Sequence, residues 1–176
     1  MEFQDPVLAN FERALCQIIK QCETLVNDQY FGKGNKPDKA WCKGPSTAPG
    51  AKPGDTKAME LGKVKDKCAE NKVNERKNRS ETPFSKTVEA QAKVPLKGGG
   101  GVCFPDVIVG KPPTCQAVYD FKTSCPPSPD KKGSWGIYRS KAGNTPYEGA
   151  SQFEVYKDAC GKEPKIIHPN ADICNS

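Results

Sequence analysis

From Pro6 to Tyr30 apolar residues recur at spacings of three and four: Leu8, Phe11, Leu15, Ile18, Ile19, Cys22, Leu25 and Val26. That period gathers them into one stripe of an α-helix. Asp5 is placed to cap the helix, with Pro6 at the first helical position, where a missing N–H costs little. Gly32 and Gly34 then stop it. Glu12 falls four residues after Leu8 and three before Leu15, at the edge of the stripe. A carboxylate there needs a partner.

The pattern fades after this helix. Residues 33–56 are rich in Gly, Pro and Lys, with Trp41 their only large apolar side chain. A loop is expected, pinned through Trp41 or Cys42. Lys57–Arg79 has helix-forming residues and a narrow stripe of Met59, Leu61, Val64, Cys68 and Val73. Residues 80–97 show no clear period, and Gly98–Gly101 reads as a flexible stop. Val102–Val109 then reads as one buried strand, although Pro105 removes a ladder donor. Gly110–Thr114 is a turn and Gln116–Thr123 a second strand, so an antiparallel hairpin is predicted. Residues 125–147 read as a long loop. Ser151-x-x-Glu154 is a capping box opening a helix that Gly161 closes. Ile166 and Ile167 mark a last short strand.

These elements predict an α/β (α+β) protein with a small mixed sheet flanked by helices. A single domain over 1–176 is expected. It would comprise an N-terminal helix (1–30), a basic loop and helix insertion (31–97) and a hairpin–helix–strand core (98–176).

Composition narrows the picture. The 176 residues are 35% hydrophobic, with 16 Gly and 16 Pro, and mean hydropathy is -0.71. A helical bundle over the whole length does not fit. No apolar run approaches the roughly 18 residues of a membrane span, so no membrane insertion is expected. Net charge is +6, but residues 31–97 carry 16 basic and 8 acidic side chains. Local positive charge suits an anionic partner, nucleic acid first and anionic lipid second, or is simply a solvated surface.

The single histidine, His168, excludes a His-rich metal site, and a Ser–His or Cys–His enzyme would have to use it. Nine cysteines with no C-x-x-C pair point away from zinc ribbons and redox motifs. They suit either an oxidising compartment or burial as small hydrophobes, and an odd count leaves at least one unpaired in a monomer. Met1–Pro6 lacks the basic residues of a secretory signal, so export is expected to use another route.

The candidate chemistry lies in the hairpin. Asp120 and Lys122, two apart on a strand, project to one face. Asp106 lies on the adjacent strand, within reach across the hairpin. Two convergent carboxylates make a hard-oxygen site suited to magnesium or manganese. A lysine beside them can hold or deprotonate a water or stabilise charge on a phosphate, which suits metal-assisted phosphodiester hydrolysis. Each residue also has a plainer reading. Asp106 can open a turn, Asp120 and Lys122 can form a surface ion pair, and Gln152 can be an ordinary helix-start residue. Glu12 can be a salt-bridged boundary residue and His168 structural. Trp135, Tyr138 and Tyr147 can pack rather than stack on bases.

Pro105-Asp106 followed by Asp120-x-Lys122 resembles the signature of the PD-(D/E)xK nuclease superfamily. With Tyr119-Asp120-Phe121-Lys122, and then Ser151-Gln152-Phe153-Glu154-Val155-Tyr156 on a helix, residues 100–170 resemble its VRR-Nuc branch. They resemble in particular VRR-Nuc domains that serve as antibacterial effectors of type VI secretion. The resemblance implies a restriction-endonuclease-like core and a DNA endonuclease using Mg2+ or Mn2+. Asp106 and Asp120 would be metal ligands, with the Phe121 backbone carbonyl as a third and Lys122 positioning the attacking water. Gln152 would support the site and Tyr156 share its helix face. A glutamate from the first helix would stand near the metal: Glu12, with Glu23 as the weaker candidate. One departure is at the second acidic position, which is Asp120 rather than Glu, and the shorter side chain would alter the metal geometry.

The resemblance further implies a toxin that is secreted without a signal peptide and acts in the target-cell cytoplasm. A secretion-machinery component and a cognate immunity protein covering the site would be its partners. Two other functions fit the residues without it: a non-catalytic nucleic-acid-binding module, and a disulfide-stapled secreted interaction protein.

Overall fold

The computed structural model describes residues 6–84, 87–99, 101–139 and 146–176, so the Asp5 cap lies outside the described residues. The first helix, α1, runs Pro6–Phe31, followed by the short α2 (Lys39–Lys43) and the long α3 (Lys57–Asn78). Strands β1 (Val88–Ala90), β2 (Val94–Pro95), β3 (Val102–Cys103), β4 (Val107–Lys111) and β5 (Thr114–Phe121) come next. Helix α4 (Gln152–Cys160), strand β6 (Lys165–Ile167) and the terminal turn of helix α5 (Asp172–Asn175) complete the chain. The molecule is thus mixed α and β, with a four-stranded sheet in the order β1-β4-β5-β6 and a separate β2-β3 pair.

The chain divides into two compact units. One comprises Met1–Phe11, Val73–Asp120 and Ser134–Ile166, and the other Glu12–Lys72, Phe121–Gly133 and Ile167–Ser176.

In the first unit, the predicted hairpin forms between β4 and β5, with Val107 opposite Tyr119 and Ile108 opposite Val118. The expected single strand over Val102–Val109 is instead two strands. Phe104-Pro105-Asp106 breaks it, because proline cannot donate to a ladder. Asp106 therefore sits immediately before β4. Residues 80–97, unpatterned in the sequence, supply β1 and β2. Strand β1 pairs antiparallel with β4, Ala90 opposite Val107.

Alternation along β5 sorts its side chains. Tyr119 goes to one face, where Phe11 lies 5.7 Å away, ring to ring, and Phe11 meets Phe84 at 5.2 Å. Val118 goes to the other face and, with Ile108, joins Val155, Tyr156, Ala159 and Cys160 of α4 in one buried cluster. Those four α4 positions follow the spacing of a helix stripe. Ser151 caps α4 by accepting the Phe153 N–H, and Gly161 closes it at a φ of 68°, in the left-handed region that favours glycine. The disulfide Cys115–Cys160 ties the start of β5 to the end of α4.

In the second unit, the α1 stripe buries Leu15, Ile18, Ile19, Cys22 and Val26 as expected, while Leu25 is exposed. At 100° per residue, Leu25 lies toward the solvent flank of the stripe. The α3 stripe also differs from expectation. Met59 is exposed, and the buried line runs Leu61, Lys65, Ala69 and Val73. This strict four-residue spacing passes through a lysine that an apolar pattern does not register. The Lys65 ammonium lies 3.5 Å from the Glu23 carboxylate, and burial lowers its pKa against the opposing pull of Glu23.

Three disulfides staple this unit: Cys16–Cys174, Cys22–Cys68 and Cys42–Cys125. The loop after α1 is therefore pinned through Cys42, one of the two expected anchors. Cys103 is the unpaired ninth cysteine, buried in the first unit.

Candidate active site

The β4–β5 register carries the two aspartates together. Val107 faces Tyr119 across the ladder, so one step back along β4 places Asp106 across from Asp120. Directly opposed residues of an antiparallel pair have Cα atoms about 4.5–5.5 Å apart and share a face. That face is the one covered by α4, because Asp120 is two residues from Val118 and Asp106 two from Ile108.

The third participant comes from α4. The Tyr156 hydroxyl hydrogen-bonds the Asp120 carboxylate and lies within the electrostatic reach of both Asp120 and Asp106. Burial raises the pKa of this phenol far above its ordinary value, and the two negative charges raise it further. Tyr156 therefore stays a neutral O–H donor. The Phe104 carbonyl also lies 3.4 Å from the same hydroxyl. A phenol has one proton, and the charged carboxylate is the stronger acceptor. The Phe104 contact is then the weaker second one. Trp135 holds the Tyr156 ring from the side at 6.2 Å, edge-on.

Gln91 is a participant that sequence reasoning missed. The β1–β4 register, Ala90 opposite Val107, brings Gln91 across from Asp106. Its backbone N–H donates to the Asp106 carbonyl at 2.8 Å, and its side-chain amide donates to Asp106 Oδ1. Gln91 adopts a φ of 51°, uncommon for a residue other than glycine. Gln91, Asp106 and Asp120 thus form a row across the ends of three neighbouring strands. Residues 80–97 carry no periodic signal, so only the strand register reveals Gln91. Cys103 is a further neighbour of Tyr156, and burial pushes its thiol up to about 12, so it stays protonated.

Gln152 points elsewhere. Its side-chain oxygen accepts the Gly136 N–H at 3.1 Å, and its own N–H donates to the Gly136 carbonyl at 2.9 Å. It therefore clamps the loop that carries Trp135.

The remaining candidates belong to the second unit. The Phe121 side chain is buried, and Lys122 lies just past the end of β5, half-buried, its N–H donating to the Ile167 carbonyl at 3.0 Å. Glu12 is 3% exposed, more deeply buried than the edge of a stripe implies. Glu23 is the counter-ion of Lys65. His168 is buried as well. Its Nδ1 accepts the Asn170 N–H at 3.0 Å and its Nε2 lies 2.9 Å from Ser124 Oγ. An Nδ1 that accepts leaves the proton on Nε2, which donates to Ser124. A histidine in that tautomer cannot serve as the base for the serine. Burial, and next the charge of Lys65, hold its pKa below the usual value.

Among the described residues no group of three or more His, Cys, Asp or Glu side chains could hold a metal ion. The opposed pair nevertheless fits magnesium, which is commonly bound by one or two carboxylates and completes its shell with water and substrate phosphates.

No protein-family model, curated protein or solved structure matches the chain.

Proposed function

We propose that the chain is a metal-dependent DNA endonuclease of the PD-(D/E)xK kind, close to the VRR-Nuc branch, and that it acts as an antibacterial toxin. The observation that carries the reading is the strand register that opposes Asp106 and Asp120 beneath Tyr156. The first aspartate follows Pro105, and Lys122 follows the second by two positions.

Asp106 and Asp120, with the Phe121 carbonyl, would hold a magnesium or manganese ion, which supplies Lewis-acid charge at the scissile phosphate. Tyr156 fixes the rotamer of Asp120 through its hydroxyl. Gln91 does the same for Asp106 through Oδ1. By the VRR-Nuc resemblance Lys122 would position the attacking water and offer positive charge to the phosphate. Gln152 keeps Trp135 against Tyr156. Lysines of residues 31–97 track the phosphate backbone, giving salt-dependent binding with little sequence preference. The toxin role rests on the VRR-Nuc resemblance, as do export without a signal peptide, a secretion-machinery component and a protective immunity protein.

Incubation with supercoiled plasmid in magnesium, manganese or EDTA tests the reading. Relaxation or degradation is expected with either metal, none in EDTA, and at least a hundredfold loss in Asp120→Ala and in Lys122→Ala. Full activity in both variants, with the fold intact, overturns it. The basic surface of residues 31–97 also suits a nucleic-acid-binding module without catalysis, in which the Asp120-x-Lys122 segment is structural. Calorimetry separates the two: a nuclease binds magnesium and loses it in Asp106→Ala, whereas a binder takes up none.

A further inference from the structure

The second unit contains a concavity of about 370 Å³ between the end of α1, the first two turns of α3 and the loop of residues 46–51. Tyr30, Met59 and Val64 supply its apolar surface, and Lys63 and Asp55 its charge. Two large side chains there, Tyr30 at 41% and Met59 at 47%, remain exposed.

Tyr30 is held like a platform. Its ring lies 6.0 Å from Phe31 and meets Trp41 edge-on at 6.4 Å. Trp41 is fixed in turn by Phe31 at 4.7 Å, by the Lys57 ammonium over its ring and by the neighbouring Cys42–Cys125 disulfide. The opposite wall is equally fixed. The Glu60 carboxylate accepts from Ser46 Oγ at 2.9 Å and from the Thr47 N–H at 3.1 Å, and Lys57 neutralises it at 3.2 Å. Glu60 is therefore occupied with holding the loop. Lys63, one turn past Met59 on the same helix face, stands exposed at the rim. Residues 31–72 carry 10 basic and 5 acidic side chains, so an anionic ligand is drawn to this unit.

An exposed aromatic face fixed by its neighbours, the Lys63 ammonium at the rim and the Asp55 carboxylate, whose Oδ2 accepts the Lys52 N–H at 2.9 Å, form a set that matches an unpaired nucleotide. We propose that this concavity binds one unpaired nucleotide of a single strand. Its base stacks on Tyr30 against Met59, its phosphate meets Lys63, and its exocyclic amino group donates to Asp55. The inference rests on the nucleic-acid reading above and adds a preference for single-stranded or frayed substrate. Base-on-aromatic stacking tolerates every base. A carboxylate acceptor favours bases with an amino group, cytosine among them.

The test is fluorescence anisotropy with a labelled oligo-dC 12-mer and a labelled 12-bp duplex. The full chain is used in EDTA, so that nothing is cut. Tyr30→Ala is expected to weaken single-strand binding by roughly five- to a hundredfold, while Tyr30→Phe and duplex binding stay within about threefold. Lys63→Ala is expected to reduce the salt slope for the single strand by about 0.7. Met59→Ala, at a solvent-exposed position, gives a second reading should Tyr30→Ala misfold, and a loss of at least threefold is expected. Unchanged single-strand affinity in both Tyr30→Ala and Met59→Ala overturns the proposal. An equal loss on duplex in Tyr30→Ala overturns it too. Plasmid cleavage is scored separately. Normal cleavage with no effect of Tyr30 removes the pocket alone, and single-strand binding through Tyr30 by a chain that cuts in no metal removes the nuclease alone.

Discussion

Replacing Cys115 and Cys160 together by alanine should be among the most costly changes the first unit can suffer short of deleting its core. Their disulfide closes a loop of 45 residues. Cross-linking a loop of that size removes about 13 cal/mol/K from the unfolded ensemble, or about 4 kcal/mol at 25 °C. A domain is typically stable by about 5–15 kcal/mol, so the loss is a large fraction of the total. For a chain of this size 1 kcal/mol moves Tm by about 2–4 °C, which predicts a fall of about 8–16 °C. The bond also joins the strand carrying Asp120 to the helix carrying Tyr156, so the loss should reach the candidate site. Calorimetry of the oxidised wild type and the double variant reads the stability. Plasmid cleavage reads the site. A drop below about 1 kcal/mol would show that the unfolded chain already holds β5 and α4 together, which would refute the loop-closure reasoning.

Tyr156→Phe keeps the ring and deletes the proton donated to Asp120. A buried acceptor that loses its donor costs about 1–3 kcal/mol, which urea denaturation will detect, and the proposed cleavage should fall with it. His168 has a folded-state pKa below its unfolded value, so between those values the unfolded chain binds more protons. Stability is then present above about 6.5 and is lost as pH falls through that window. Tm measured from pH 8 to 5 should decline more steeply in wild type than in His168→Gln. Lys65 also has a lowered pKa, so its contribution to stability rises with pH between the folded-state value and about 10.4. At pH 7 Lys65→Met keeps the volume and removes a buried ammonium, while Glu23, 19% exposed, can rehydrate. Denaturation should show equal or greater stability, and a loss above about 2 kcal/mol would show the ion pair to be net stabilising.

The elements legible in the sequence are those whose signals are local. The α1 stripe, the hairpin turn, the Ser151 cap and the Gly161 stop each depend on residues within one or two turns, and each appears, though Leu25 falls outside the stripe and the turn narrows to residues 112–113. Strand β1 is defined by a partner about twenty residues on, and β2 is only two residues long, so residues 88–95 show nothing on their own. The split of β3 from β4 was announced by Pro105, but the apolar run on both sides outweighed it. Lys65 escaped notice because a lysine on a buried line has no hydrophobic signature. In the candidate site, the nearness of Asp106 and Asp120 is legible in the hairpin pattern, and Tyr156 enters only through the VRR-Nuc resemblance. Gln91 and the clamp of Gln152 on Gly136 are not legible, because both depend on register and loop placement. Nor could the cysteine pairing be read from nine scattered positions.

Helix α1 has a further consequence for how those cysteines find one another. Cys16 and Cys22 lie six residues apart on it, yet one bonds Cys174 and the other Cys68. During synthesis Cys68 emerges long before Cys174, so Cys16 must wait with a reactive neighbour close by in sequence. Six residues of α-helix separate two Cα atoms by about 9 Å of rise, beyond the roughly 7 Å a disulfide can bridge. Once wound, the helix keeps its own two thiols apart. It thereby excludes the one pairing that nearness in sequence would favour and leaves both thiols for partners farther along the chain.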